Sequence, residues 1–133
     1  MNKKINIAVD AMGGDNSPKK VIDGIHHHFS NNKNSFYQIF GDKDKILPHI
    51  KNDLPSSSFD LIHTIDVVKG TDSPLEGAKR GKNTSMWLAI QSVKEKKSDV
   101  VISAGNTGAL LVISKLNLKM IENIDKPALS ALW

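Results

Sequence analysis

The chain has 133 residues, 18 basic against 14 acidic side chains, no cysteine and 39% hydrophobic residues, the profile of a globular chain of one-domain length. The missing cysteines exclude a disulfide framework, a thiolate zinc site, an iron-sulfur cluster and a cysteine nucleophile together, so chemistry must use oxygen, nitrogen or backbone groups. All but one of the basic residues are lysine, and they are scattered from Lys3 to Lys126 without the arginine forks or interleaved aromatics of a nucleic-acid surface, so no nucleic-acid partner is expected.

In chain order, Ile5–Val9 reads as a buried strand closed by Asp10 and turned by Gly13-Gly14. Ser17 as N-cap and Pro18 at the first helical position start a helix whose Val21, Ile22, Ile25 and Phe29 repeat at helical spacing. Phe36–Phe40 reads as the second strand, Asp42–Ile50 as a short helix around Leu47, and Asp60–His63 as the third strand after a Pro55–Ser58 loop. Lys69–Asn83, rich in glycine and lysine, predicts a long loop with at most one short helix. Thr84 or Ser85 caps a helix with Met86, Ile90 and Val93 on one face and Lys94–Lys97 in its last turn. Val100–Ala104 is the fourth strand, Gly105–Gly108 a loop, and Ala109, Ile113, Leu116 and Met120 the buried stripe of a further helix. Pro127–Trp133 reads as the start of a fifth strand, interrupted inside an apolar segment as in a truncated protein.

Strand and helix in alternation imply an α/β fold, a mostly parallel sheet with helices on both faces, because parallel strands need helical crossovers. The longest apolar run, Ala109–Ile113, is far short of the roughly 18 residues of a membrane span, and the N-terminus lacks a secretory signal, which together set a cytoplasmic expectation.

In such a sheet, ligands bind beyond the carboxyl ends of the strands. Two strand-to-glycine-loop-to-helix segments lie there. The first, Asp10-Ala11-Met12-Gly13-Gly14-Asp15, would turn Asp10 and Asp15 toward the cleft, although an ordinary glycine turn with Asp15 as a helix cap explains it equally. The second, Ser103-Ala104-Gly105-Asn106-Thr107-Gly108-Ala109, joins free helix N–H groups to the hydroxyls of Ser103 and Thr107, and favours an anion. Neither segment has the lysine of a P-loop or the three glycines of a dinucleotide fingerprint, which disfavours a nucleotide-binding domain. His26, His27 and His28 are consecutive on a helix and cannot converge on one metal; His49 and His63 have no recognisable partner, so no metal site is expected. Lys79, Arg80 and Lys82 read as a solvated basic loop or a phosphate-docking one, and Trp87 as packing.

These segments resemble the bacterial phosphate acyltransferase family in Ile7–Asp15, Lys82-Asn83-Thr84-Ser85-Met86, Ser103–Leu110 and Lys126-Pro127-Ala128-Leu129. Departures are Lys79 and Gly81, where relatives often carry arginine or lysine, and Thr84 in place of a common serine; Gly81 removes a ligand contact there. The resemblance covers residues 1–133 as the N-terminal portion of a single α/β acyltransferase domain, C-terminally truncated, three-layered and Rossmann-like, related to isopropylmalate dehydrogenase and phosphotransacetylase folds. It implies transfer of a fatty acyl group from acyl-acyl-carrier protein to inorganic phosphate, giving acyl phosphate for phospholipid synthesis without a cofactor. It also implies a homodimer, peripheral membrane contact and hand-over to a membrane glycerol-phosphate acyltransferase.

Phosphate is itself a nucleophile, so the reaction needs positioning and oxyanion stabilisation more than a general base. The candidate set is accordingly Asp10, Asp15 and Asn106 for catalysis, Asp10 and Asp15 by shaping the first loop and orienting donors, and Ser103, Gly105, Asn106, Thr107, Gly108, Gly13, Gly14 and Lys82 for phosphate, with Lys82 as the cation between the carboxylates and the anion. The competing expectation is a truncated, non-catalytic module that binds acyl carrier protein or a partner subunit.

Overall fold

The computed structural model describes residues 3–132. Its order is β1 (Ile5–Asp10), α1 (Lys19–Asn31), β2 (Ser35–Gly41), α2 (Lys43–Ile46), two 3₁₀ turns (Leu47–His49 and Ser56–Ser58), β3 (Phe59–His63), α3 (Pro74–Lys79), α4 (Ser85–Lys94), β4 (Val100–Ser103) and α5 (Thr107–Leu118). The four strands form one all-parallel sheet in the order β3-β2-β1-β4, with Ile7 opposite Tyr37 on one side and Val100 on the other.

The run Ile7-Ala8-Val9 in β1 is apolar at every position because both faces of this central strand are covered. Side chains alternate across the sheet. Ile7 and Val9 pack with Tyr37 and Ile39 beneath Ile22, Ile25 and Phe29 of α1. Ala8 and Phe40 face the other way, against Ala89 of α4, and Met86, Ile90, Ala109 and Ile113 join α4 to α5. The result is the expected α/β layering, with α1 on one face and α4 and α5 on the other.

Several local expectations are corrected. Ser17 does not cap α1: Pro18 takes the cap position in helical geometry, and the Ser17 hydroxyl turns back to donate to the Gly13 carbonyl at 2.5 Å. In the short helix after β2 the buried residue is Ile46, and Leu47 is exposed, because the chain tightens into a 3₁₀ turn at Leu47 and rotates it outward. In α5 the inward stripe is Ala109, Ile113 and Asn117; Leu116 is exposed and Met120 lies past the helix end, so the spacing of four from Ala109 continued and the spacing of three did not. Ala104 falls just outside β4. Residues Pro127–Leu132 form no strand and are mostly exposed; Trp133 lies outside the described residues. The glycine-rich stretch contains α3, started by a reciprocal cap in which the Ser73 hydroxyl accepts from the Glu76 N–H and the Ser73 N–H donates to Glu76 Oε2 at 2.8 Å. The sequence signature of that start is Ser73-Pro74-Leu75-Glu76, a cap residue, proline in the first turn and glutamate three residues on. Among the described residues no helix is long and apolar enough to cross a membrane.

Candidate anion site at the carboxyl edge of the sheet

β1 and β4 are neighbours, so the loops leaving their carboxyl ends emerge side by side. Glycine lets them touch. A Cβ built on Gly13 would stand 2.9 Å from both Cα and N of Gly105, and one built on Gly105 would stand 3.1 Å from Gly13 Cα. Gly14 has a φ of +88°, and a Cβ there would lie 2.5 Å from the Ala104 carbonyl oxygen, so left-handed geometry and a close neighbour exclude a side chain together. The two segments that the sequence singled out are thus one structural unit.

Asp10 is the pin of that unit. It is 2% exposed, and its oxygens accept from the Ser85 hydroxyl at 2.6 Å, the Ser103 hydroxyl at 2.7 Å and the Met12 N–H at 3.2 Å. Ser103 in turn accepts from the Gly105 N–H at 3.1 Å. Asp10 therefore faces inward and not the cleft, as does Ser103. Burial without partners would be costly for such a group, and three donors from three elements offset that cost. The Ser85 that supplies one of them is placed by Thr84, the N-cap of α4, whose hydroxyl oxygen accepts from the Trp87 N–H at 3.3 Å. This gives the Asn83-Thr84-Ser85 segment a structural role that its sequence did not disclose.

Asn106 is equally committed. Its Oδ1 caps α5 by accepting from the Ala109 N–H at 3.0 Å, while its Nδ2 donates to the carbonyls of Lys69 at 3.2 Å and Asp72 at 2.7 Å. One amide group thus fixes the helix start and ties it to the loop after β3. Asp72 holds that loop from within. It accepts the Lys69 N–H at 2.8 Å and makes a two-pronged pair with Arg80, which holds the Asp72 carboxyl down at about 2. Arg80 is accordingly spent on Asp72 and is not a free phosphate ligand. Gly108 lets α5 lie flush on α3, because a Cβ there would meet Pro74 Cγ at 2.6 Å.

These contacts leave a groove of about 740 Å³ between the Gly14–Asp15 turn, the Val67–Gly70 loop and the start of α5. Thr107 and Gly108 line it; as first-turn donors their N–H groups have no acceptor within the helix, and Thr107 adds a hydroxyl. Asp15 stands exposed on the opposite lip. The cations lining the groove are Lys20 and Lys69. Lys82 is exposed in the turn before α4 and does not line the groove, where Lys20 and Lys69 stand instead. Neither was singled out, because Lys20 arrives from the first turn of α1 and Lys69 from a loop after β3. Only the strand order brings them together. Of the sequence candidates, then, Gly14, Asp15, Gly105, Asn106, Thr107 and Gly108 meet at the groove, Asp10, Ser103 and Gly13 support it from beneath, and Lys82 stands apart. The arrangement can grip a small tetrahedral anion by helix N–H groups, a hydroxyl and two ammonium groups.

Comparison with known proteins gives a consistent picture. A family model described as "Fatty acid synthesis protein" matches residues 5–133. The "Phosphate acyltransferase" of Pelagibacter ubique is 84% identical over 133 residues, covering 100% of this chain and 40% of the relative. That of Bradyrhizobium sp. strain BTAi1 is 42% identical over 135 residues, covering 100% of this chain and 38% of the relative. That of Streptococcus mutans is 42% identical over 124 residues, covering 92% and 36% respectively. The chain spans about 40% or less of the length of these curated relatives.

Proposed function

The chain belongs to the fatty acid synthesis protein family, and on that premise we propose that it contributes the phosphate-binding half of an acyltransferase site, moving a fatty acyl group from acyl-acyl-carrier protein to inorganic phosphate. The observation that carries the reading is the open first turn of α5, held rigid by Asn106 and facing Lys20 and Lys69 across one groove.

In this reaction an oxygen of the hydrogen phosphate dianion attacks the thioester carbonyl carbon, the new C–O bond forms, and the C–S bond breaks to release the carrier protein's thiolate, which takes up the proton that the phosphate loses, leaving acyl phosphate in the site. Neither histidine nor cysteine is required, because dianionic phosphate is already the nucleophile. The protein's work is to hold it in line and to withdraw charge from the carbonyl oxygen as it becomes an oxyanion. The N–H groups of Thr107 and Gly108 are preorganised donors for one of these charges, and Lys20 and Lys69 lower the cost of bringing phosphate beside Asp15. Asp10 and Asn106 are positioning residues. Their oxygens and amide protons are consumed by the backbone and hydroxyls that shape the groove.

The site chemistry favours an acidic carrier as partner, since Lys20 and Lys69 surround the groove, and the same reading retains the homodimer and the membrane-associated acyltransferase as downstream partners. The test is acyl-phosphate formation from acyl-acyl-carrier protein and phosphate in a protein of the relatives' full length. Thr107→Ala removes one hydroxyl donor and Asn106→Ala removes both the α5 cap and the tie to the loop. The expected results are a rise of roughly tenfold in the phosphate KM for Thr107→Ala, and for Asn106→Ala that rise together with a loss of about 1 kcal/mol of stability. Turnover that needs carrier protein but is indifferent to both substitutions contradicts the assignment, and binding of carrier protein without any turnover supports the non-catalytic module.

A further inference from the structure

Among the described residues β4 is the outermost strand, and on its α1-facing side Val100 and Ile102 are 42% and 53% exposed. α1 leans over β1 and β2 and stops short of β4. Between them lies a cavity of about 320 Å³, with Ile7, Val9 and Ile102 as its floor and Val21, Gly24 and Ile25 as its helix wall. Polar groups are confined to its two ends. At one end His28 Nδ1 meets the Tyr37 hydroxyl at 2.7 Å. At the other stand Asp10, whose carboxylate is engaged by Ser85 and Ser103, with Lys20 and Ala104, and the last two also line the anion groove. An apolar cavity with a few convergent polar groups is the ordinary form of a small-molecule site.

Gly24 supplies a second, independent observation. It sits mid-helix in α1, where glycine costs roughly 1 kcal/mol relative to alanine. No turn or positive φ requires it, and a Cβ built there would meet nothing within 4 Å. Gly24 is solvent-exposed, so what the absent side chain leaves is open space at the rim of the cavity wall. Lys20 and His28, eight residues apart on the same helix, set the cavity's length at about 12 Å by the rise of 1.5 Å per residue.

We propose that this cavity receives the first segment of the aliphatic chain of the acyl group whose reacting head lies in the anion groove, an inference that rests on the acyl-transfer reading above. The mouth at Lys20 and Ala104 is where chain and head divide. The walls remove methylene groups from water and the ammonium of Lys20 remains with the charged head.

The probes are dodecanoate and butanoate, titrated calorimetrically into this chain, with inorganic phosphate titrated separately. Gly24→Phe projects a ring into the space, Gly24→Leu fills it partly, and Gly24→Ala leaves most of it. Because a Cβ at this position clashes with nothing and replaces helical glycine, all three are expected to fold, which circular dichroism checks. The expected result is tighter binding of dodecanoate than of butanoate, weakened roughly tenfold or more by Gly24→Phe, less by Gly24→Leu, and by no more than about twofold by Gly24→Ala. Dodecanoate affinity that ignores Gly24→Phe overturns the proposal. So does a parent protein that dimerises without binding dodecanoate and whose dimer is broken by Gly24→Phe, since the face then belongs to a second copy. If dodecanoate binds and responds to Gly24→Phe while phosphate gives no signal, the cavity is upheld as an aliphatic site and it is the acyl-transfer reading that fails.

Discussion

Gly13→Ala is expected to open the anion site and to destabilise the fold by about 2 to 3 kcal/mol, as overpacking of a tight interior does. The added methyl would stand 2.6 Å from Asp10 Oδ2 and 2.9 Å from the Gly105 Cα and N. None of these is the far end of a flexible side chain. Two are backbone, and the third is a carboxyl oxygen held by Ser103. Relief must come from separating the two loops, which moves the start of α5 away from the Gly14–Asp15 turn. Phosphate affinity should therefore fall roughly tenfold or more although Gly13 touches no ligand, the usual result of misplacing a site by about an ångström. Urea unfolding and phosphate titration of the same variant measure the two effects. Normal stability together with normal phosphate binding would show that the loops are not packed as described.

Asp10→Ala is the second large effect. It leaves the hydroxyls of Ser85 and Ser103 and the Met12 N–H without their common acceptor at a position 2% exposed. Orphaned buried donors cost about 1 to 3 kcal/mol each, and part of that is recovered when the hydroxyls rotate to new partners, so about 3 kcal/mol in total is expected. The midpoint of urea unfolding should shift with little change in slope. Asp15→Ala provides the contrast. Asp15 is exposed on the groove lip, so its loss should alter stability by no more than about 0.5 kcal/mol while raising phosphate affinity by removing a like charge. Were Asp10 instead a group acting directly on substrate, its replacement would abolish turnover and leave the unfolding midpoint in place.

Much of this fold was legible because its signals are local. Ile7-Ala8-Val9 is apolar throughout, as a strand covered on both faces must be, and Ile22, Ile25 and Phe29 mark the buried side of α1. Alternation of such segments is enough to predict a parallel sheet. The details that failed depend on three-dimensional neighbours. Leu116 and Ile113 are equally apolar, and only the position of α3 and α4 decides which of them is buried. Ser17 had the right chemistry for a helix cap, but the Gly13 carbonyl was the nearer partner.

The site divides in the same way. Gly13-Gly14 suggested a backbone coming close to a ligand and Gly105 to Gly108 an anion loop; at all four glycines the structure instead shows protein atoms that a Cβ would crowd, the other loop for 13, 14 and 105 and Pro74 for 108. Asp10 was singled out for its place at a strand end, but a carboxyl beside a glycine turn reads the same whether it faces a ligand or two buried serines. Lys20 and Lys69 carried no signal at all. Lysine at position 20 becomes a neighbour of Thr107 only through the order β2-β1-β4, which no residue near position 20 encodes.

The most direct measurement is a phosphate titration followed by the backbone amide resonances of the ¹⁵N-labelled chain. The amides of Thr107 and Gly108 should shift together and saturate with one dissociation constant, with smaller movements at Gly14 and Gly70 across the groove. If those two amides stay fixed while phosphate displaces resonances elsewhere, at Lys82 or around the Arg80–Asp72 pair for example, the anion is not held by the start of α5.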